Sequence, residues 1–270
     1  MEVRYAYLRP AQIIARREAC PVAYIPIGNL EWHGLHNPVG ADTLQAEALA
    51  IRCAEQGGGI VFPPLYYGEN RLEGLMEANA DDHEAIAAAM GLEPDRFAPG
   101  FFPFTATEQT LAYNHLLLHI LAEADTLGFR VGVLVAGHYP LIDHCRAAVL
   151  QYMQRVMKRP DRLLPWAVVD YLEVNDLYPD AGDHAANWET SHMLAIAPET
   201  VDLSALPPRG TPLTGVIGRV PPQDATAAYG AKTLAAAADH IVRETRDRLE
   251  HPERYRGHGK ALLERQWLSD

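Results

Sequence analysis

Cysteine is scarce in this sequence. Cys20, Cys53 and Cys145 are the only three thiols among 270 residues, an odd number with no CxxC spacing. That pattern suits neither a disulfide framework nor a thiolate zinc site, and buried free thiols are expected. Positive charge is also in short supply. Lys and Arg number 23 against 35 Asp and Glu, a net charge of −12, and no Lys/Arg cluster offers the positive surface that phosphates require. Nucleic acid is therefore excluded as a partner. No apolar run of signal-peptide length opens the chain, and no window approaches the roughly 18 apolar residues needed to cross a bilayer. A cytoplasmic protein without membrane contact is expected. GxGxxG, Walker, GxSxG and HExxH motifs are missing, so dinucleotide, NTP, serine-hydrolase and zincin chemistries have no foothold.

What remains is a chain rich enough in apolar residues, 48% against 21% charged, to bury a sizeable core. Short β-branched runs alternate with longer amphipathic stretches, the pattern of βαβ units around a mostly parallel sheet. Strands are expected at Val22–Ile27, Gly59–Phe62, Val131–Ala136 and Trp166–Val169. Helices are expected at about Asp42–Gln56, Thr107–Leu127, Leu141–Lys158, Trp188–Ile196 and Ala225–Leu249. One domain over 1–270 is expected, with a segment at about 69–100 that breaks the alternation and reads as an insertion.

The chemistry concentrates at three places. The first is Glu31-Trp-His33-Gly-Leu-His36-Asn-Pro-Val-Gly-Ala-Asp42, two carboxylates and two imidazoles within one loop after a strand. These are ligands that zinc, manganese and iron accept, and a carboxylate can bridge two ions. Glu31 and His33 fall on one side of an extended segment, and Gly34 and Gly40 let the loop turn Asp42 back toward them. Asp42 reads equally as a helix cap. The second place is Gly137-His138-Tyr139, at the carboxyl end of the most apolar strand, where sites of open α/β sheets gather. The third is Asp183-His184-Ala-Ala-Asn-Trp188-Glu189-Thr-Ser191-His192. Here His184 beside Asp183 is arranged as a general acid or base, and Thr190 and Ser191 also read as ordinary helix-start residues. His115 and His119 have helical i,i+4 spacing, but their Leu-rich helix assigns them to packing.

In this order and at these intervals the three elements resemble the creatininase family. Gly28 to Asp42 matches its strand-Gly, E-x-H-G-x-H-x-P and Asp signature. Ala136-Gly137-His138 matches its Asn-Gly-His strand end, and His184 to Ser191 its His-Ala-Gly-x-x-Glu-Thr-Ser motif. Pro63 to Gly68 matches a weaker Pro-Pro-x-x-Tyr-Gly element. The resemblance implies a three-layer αβα sandwich, hexamers in some members, and one or two divalent ions (zinc, manganese or iron) that activate a water to hydrolyse a small, in some members cyclic, amide. It places Glu31 and His138 on one ion, His33 on the other and Asp42 between them, with catalytic His184 supported by Asp183. Tyr139, Trp188 and Tyr67 would contact the small-molecule substrate of a homo-oligomer. The sequence departs from the pattern at Pro140, where creatininase itself carries a ligand Glu; Glu189 is the replacement expected. Ala136 and Ala186 stand for the usual Asn and Gly, and together these changes argue against creatinine. Related branches act on formamido-pyrimidines, peptide precursors or cyclic polyol ketones. A catalytically silent binding homologue is the alternative outside enzymes.

Overall fold

The computed structural model describes residues 2–68, 82–97, 101, 103–156 and 158–256. Four parallel strands form the sheet in the order β2-β1-β3-β4: β1 (Val22–Ile27), β2 (Ile60–Val61), β3 (Val131–Ala136) and β4 (Leu164–Val169). β1 and β3 pair in register from Val22↔Val131 to Ile27↔Ala136, and β3 and β4 from Val131↔Leu164 to Ala136↔Val169. All residues of the three long strands are buried, as strands covered on both faces should be.

Side-chain alternation along these strands feeds two cores. On one face Ile25, Ile27, Leu134 and Val169 pack with α4 (Ala106–Thr126) and α5 (Leu141–Val156). On the other, Val22, Tyr24, Val133, Val135 and Val168 pack with α2 (Ala41–Gly57), α6 (Asn187–Ile196) and α7 (Ala227–Glu250). The result is the expected α/β three-layer sandwich, and every connection between paired strands is a helical crossover. The start of α4 follows from the chain: Thr105 Oγ1 accepts from Glu108 N at 3.2 Å while the Glu108 carboxylate accepts from Thr105 N at 2.9 Å, a reciprocal cap.

Two elements differ from expectation. α1 (Pro10–Ala19) carries no buried residue and so has no apolar stripe to announce it; Pro10 at its first position, where no N–H is needed, starts it. β4 begins two residues early and includes Pro165. This is tolerated because β4 is an edge strand: Leu164 N donates inward to Arg130 O, so the next backbone position faces outward. Of the segment expected to be inserted, 69–81 and 98–100 lie outside the described residues; between them run α3 (His83–Ala89) and a 3-10 turn at Pro94–Phe97. The Asp82 carboxylate just before α3 accepts from Gly215 N at 2.6 Å. His115 and His119, expected in core or interface packing, lie on the exposed face of α4 and so are not in the core of the chain. No helix among the described residues is long and apolar enough to cross a membrane.

Candidate metal centre

The carboxyl ends of β1 and β3 lie side by side, and the loops leaving them deliver the first candidate ligands. Gly34 adopts φ +71° and makes the turn that only glycine takes without strain. Gly40 has φ −97°, so its conformational freedom is not used. α2 starts after Gly40 without a side-chain cap. Asp42 therefore does not cap the helix; its carboxylate lies between two imidazoles instead. Asp42 Oδ1 is 3.0 Å from His33 Nε2, and Oδ2 is 3.3 Å from His138 Nδ1. Glu31 Oε2 stands 2.8 Å from His138 Nδ1, and Glu189 Oε2 3.4 Å from His33 Nε2. Three sets among the described residues gather possible ligand atoms within 4.8 Å of one another: Glu31–Asp42–His138 and His33–Asp42–Glu189, which share Asp42, and Glu31–His33–His184. Glu31, His33, Asp42, His138 and Glu189 are all buried.

The imidazoles are already oriented as ligands. His33 Nδ1 lies 3.1 Å from the Glu31 carbonyl, which can only accept, so Nδ1 carries a proton and Nε2 is the nitrogen turned toward Asp42 and Glu189, free to give its lone pair to a cation once its own proton is displaced. His184 Nε2 donates to the Trp32 carbonyl at 2.8 Å, turning Nδ1 toward Glu31 Oε2 at 4.0 Å. Despite these short approaches, both Glu31 oxygens, His33 Nε2 and Asp42 Oδ2 are buried with no aligned hydrogen bond. Buried polar atoms in native proteins are normally bonded. A set of convergent carboxylate and imidazole atoms that meet without hydrogen-bond geometry fits divalent cations.

The charges agree. Burial works against the imidazolium of His33, yet Asp42, Glu189 and Glu31 outweigh it and hold its pKa up at about 10. At His138 burial is likewise overcome, here by Glu31 and Asp42, again to about 10. For Asp42 the two imidazoles override burial and hold the carboxyl far below its usual range. Glu189 is pushed well up by burial, helped by Asp42 and Asp183. Burial and then His33 push His184 down. The pocket without cations thus keeps protons that a cation would displace.

The remaining expected residues divide. The Asp183 carboxylate accepts from Trp188 N (2.6 Å), Glu189 N (3.2 Å) and Ala186 N (3.3 Å), so it caps α6 and aims Glu189. Trp188 is buried among Tyr178, Tyr229 and His192, its indole N–H donating to Asp170 at 2.9 Å, which leaves no face for a substrate. Tyr139 is half-buried and its hydroxyl accepts from Asp183 N at 3.4 Å. Tyr67 is 74% exposed. Ala185 carries the one positive φ outside glycine among the described residues, 56°, and its N–H donates to Glu189 Oε2 at 2.7 Å. This local strain orients a carboxylate, as strain at functional sites often does. His36, 1% exposed, bonds Ala185 O at 2.9 Å and Thr190 Oγ1 at 3.1 Å; it props the α6 loop behind the ligands and is kept neutral by burial.

A family model described as creatinine amidohydrolase matches residues 6–245. The mycofactocin precursor peptide peptidase of Mycolicibacterium smegmatis is 29% identical over 256 residues, covering 84% of this chain and 87% of that protein. The creatinine amidohydrolase of Pseudomonas putida is 28% identical over 199 residues, covering 67% of this chain and 66% of that enzyme. A mutant creatininase described as Zn-Zn type superposes with a TM-score of 0.66 at 23% identity, over 93% of this chain and 99% of that one. By its match over most of its length, the chain belongs to the creatininase family.

Proposed function

We propose that this hydrolase uses two divalent ions, zinc or manganese, to cleave a C–N amide bond in a small substrate. The observation that carries the reading is Asp42, whose two oxygens face two different imidazoles at 3.0 and 3.3 Å, each imidazole backed by its own Glu. The chemistry that divalent ions supply in such a pocket is acidification of water near neutral pH and polarisation of the carbonyl under attack. Glu31 and His138 hold one ion, His33 and Glu189 the other. With Pro140 unable to coordinate through its side chain, Glu189 provides the carboxylate on the second ion. As water attacks the carbonyl carbon, His184, neutral and fixed through Nε2 by Trp32, takes a water proton at Nδ1 and passes it to the leaving nitrogen as the C–N bond breaks, giving the carboxylate and the amine. Asp183 acts as a positioning residue through its cap on α6. Tyr139, whose hydroxyl accepts from Asp183 N, and the exposed Tyr67 are the substrate-contact candidates, whereas Trp188 belongs to the core.

The wider reach of the peptidase relative, 84% of the chain against 67% for the creatinine enzyme, favours an amide within a short peptide over creatinine. The test is elemental analysis of protein purified without chelator, followed by a panel of cyclic amides, short peptides, formamido-pyrimidines and cyclic polyol ketones. Two ions per chain, one for each set sharing Asp42, and metal-dependent amide cleavage are expected. Protein that binds no zinc or manganese after reconstitution, or turns over a ring ketone only, refutes the assignment. His184→Ala should retain its metal while kcat falls by about 100-fold, the usual contribution of a positioned proton-transfer group. Metal loss in that variant would make His184 a ligand instead.

A further inference from the structure

Behind the ligands lies a second layer of buried polar side chains with a regular relation to the first. On α2, Gln45 follows Asp42 by three residues; on α6, His192 follows Glu189 by three. Each pair shares a helix face. Gln45 Oε1 and His192 Nδ1 meet at 3.0 Å, both side chains buried. The other ring nitrogen of His192 lies 2.8 Å from Thr233 Oγ1 on α7, and Asp170, directly after β4, stands 3.3 Å from Nδ1. Burial holds His192 neutral, its pKa down at about 3, so one nitrogen carries one proton. Gln45 Oε1 and the Asp170 carboxylate both accept, so the proton sits on Nδ1, and Nε2 faces the Thr233 hydroxyl, whose proton it shares with the Tyr229 and Gly230 carbonyls at 3.1 Å. One imidazole therefore ties α2, α6, α7 and the end of β4. The helices come close enough for this because Gly230, three residues before Thr233, lets α7 lie directly on the Ser191 carbonyl, where a Cβ would overlap it.

We propose that His192, with Gln45 and Thr233 as its partners, is a positioning residue that sets the separation of Asp42 on α2 and Glu189 on α6, and through it the second ion's site. This rests on reading His33, Asp42 and Glu189 as ligands. Asp42 and Glu189 are carried by different helices, and within each helix the spacing is fixed by hydrogen bonding. What varies is the register of one helix against the other. A directed bond one turn behind the ligands fixes that register, which apolar contacts alone set less sharply.

The test is zinc titration of the chelator-stripped full chain against a competing dye, with thermal unfolding of the stripped protein and steady-state kinetics alongside. Gln45→Met removes the acceptor at nearly constant volume. It is expected to weaken the second zinc by about 10-fold or more, the range seen when outer partners of ligands are lost, and to lower kcat with KM within about twofold. Thr233→Val frees Nε2 and should act in the same direction more weakly; it serves alone if Gln45→Met does not fold. Ile241→Val trims the same core without touching the network and should leave zinc affinity unchanged. Undiminished zinc affinity in a folded Gln45→Met or Thr233→Val protein, or an equal loss in Ile241→Val, overturns the positioning role. A wild-type chain that binds no zinc overturns the metal reading and this one together.

Discussion

Asp42→Ala is expected to lose its metal and to reduce turnover by more than about 100-fold, a larger loss than removal of a ligand's outer partners causes. Asp42 is shared by the Glu31–Asp42–His138 and His33–Asp42–Glu189 sets and faces both His33 and His138, so its loss reaches both proposed ion positions. It also shares its charge between His33 and His138, each held up at about 10 in the metal-free pocket. Removing one partner of such a buried group costs about 3–5 kcal/mol. A raised imidazole pKa stabilises the folded chain fully below the unfolded value of 6.5 and loses that contribution as pH climbs through about 10. The gap in unfolding temperature between wild type and Asp42→Ala, measured in chelator, should therefore be widest near pH 6 and close toward pH 10. Elemental analysis and turnover with added zinc complete the test. A variant that keeps metal and activity removes Asp42 from its shared role.

Gly137→Ala should be the most damaging single-methyl change in the site, destabilising the chain by about 3 kcal/mol or more and weakening metal retention with it. Gly137 N continues the ladder beyond β3 by donating to Ile27 O at 2.8 Å, which fixes its backbone. A Cβ there would overlap the Asp42 carbonyl and stand 3.2 Å from Ala46 Cβ. The obstruction is backbone in the first turn of α2, so it yields only if the helix moves, and that movement separates Asp42 from His138. Gly40→Ala is the control: its φ is ordinary and a Cβ would meet only the edge of Tyr66 at 3.5 Å, so stability should change by less than about 1 kcal/mol. Denaturant unfolding and zinc titration of both variants decide the matter; a stable, zinc-binding Gly137→Ala protein would show that α2 and β3 need not touch.

The elements that carry an apolar pattern were readable from the chain. β1 and β3, apolar throughout, match expectation to the residue, and the helices that bury a stripe match within a few positions. α1, which buries no residue fully and rests on the core only through Ile13, and the Pro165 end of β4, which depends on an open sheet edge, were not. Among the site residues, the Glu31-to-Asp42 loop stood out because unlike ligands crowd one segment. Gln45 and Thr233 gave no signal: a polar residue on a helix reads as solvent-facing unless its neighbours in space are known. Trp188 misled for the converse reason, since a large aromatic beside a ligand can face either the substrate or the core.

By itself the sequence determined the αβα class, the candidate ligand residues and the strand ends that bear them, because residue type and periodicity are local properties of the chain. Tertiary structure alone decided that Asp42 faces two imidazoles rather than its own helix terminus, that Asp183 caps α6 and that His192 joins α2 to α6. The first and last depend on distances between residues roughly 100 to 150 positions apart, which only the packing of helices on a twisted sheet fixes; the cap is local, but it depends on how the loop before α6 is folded.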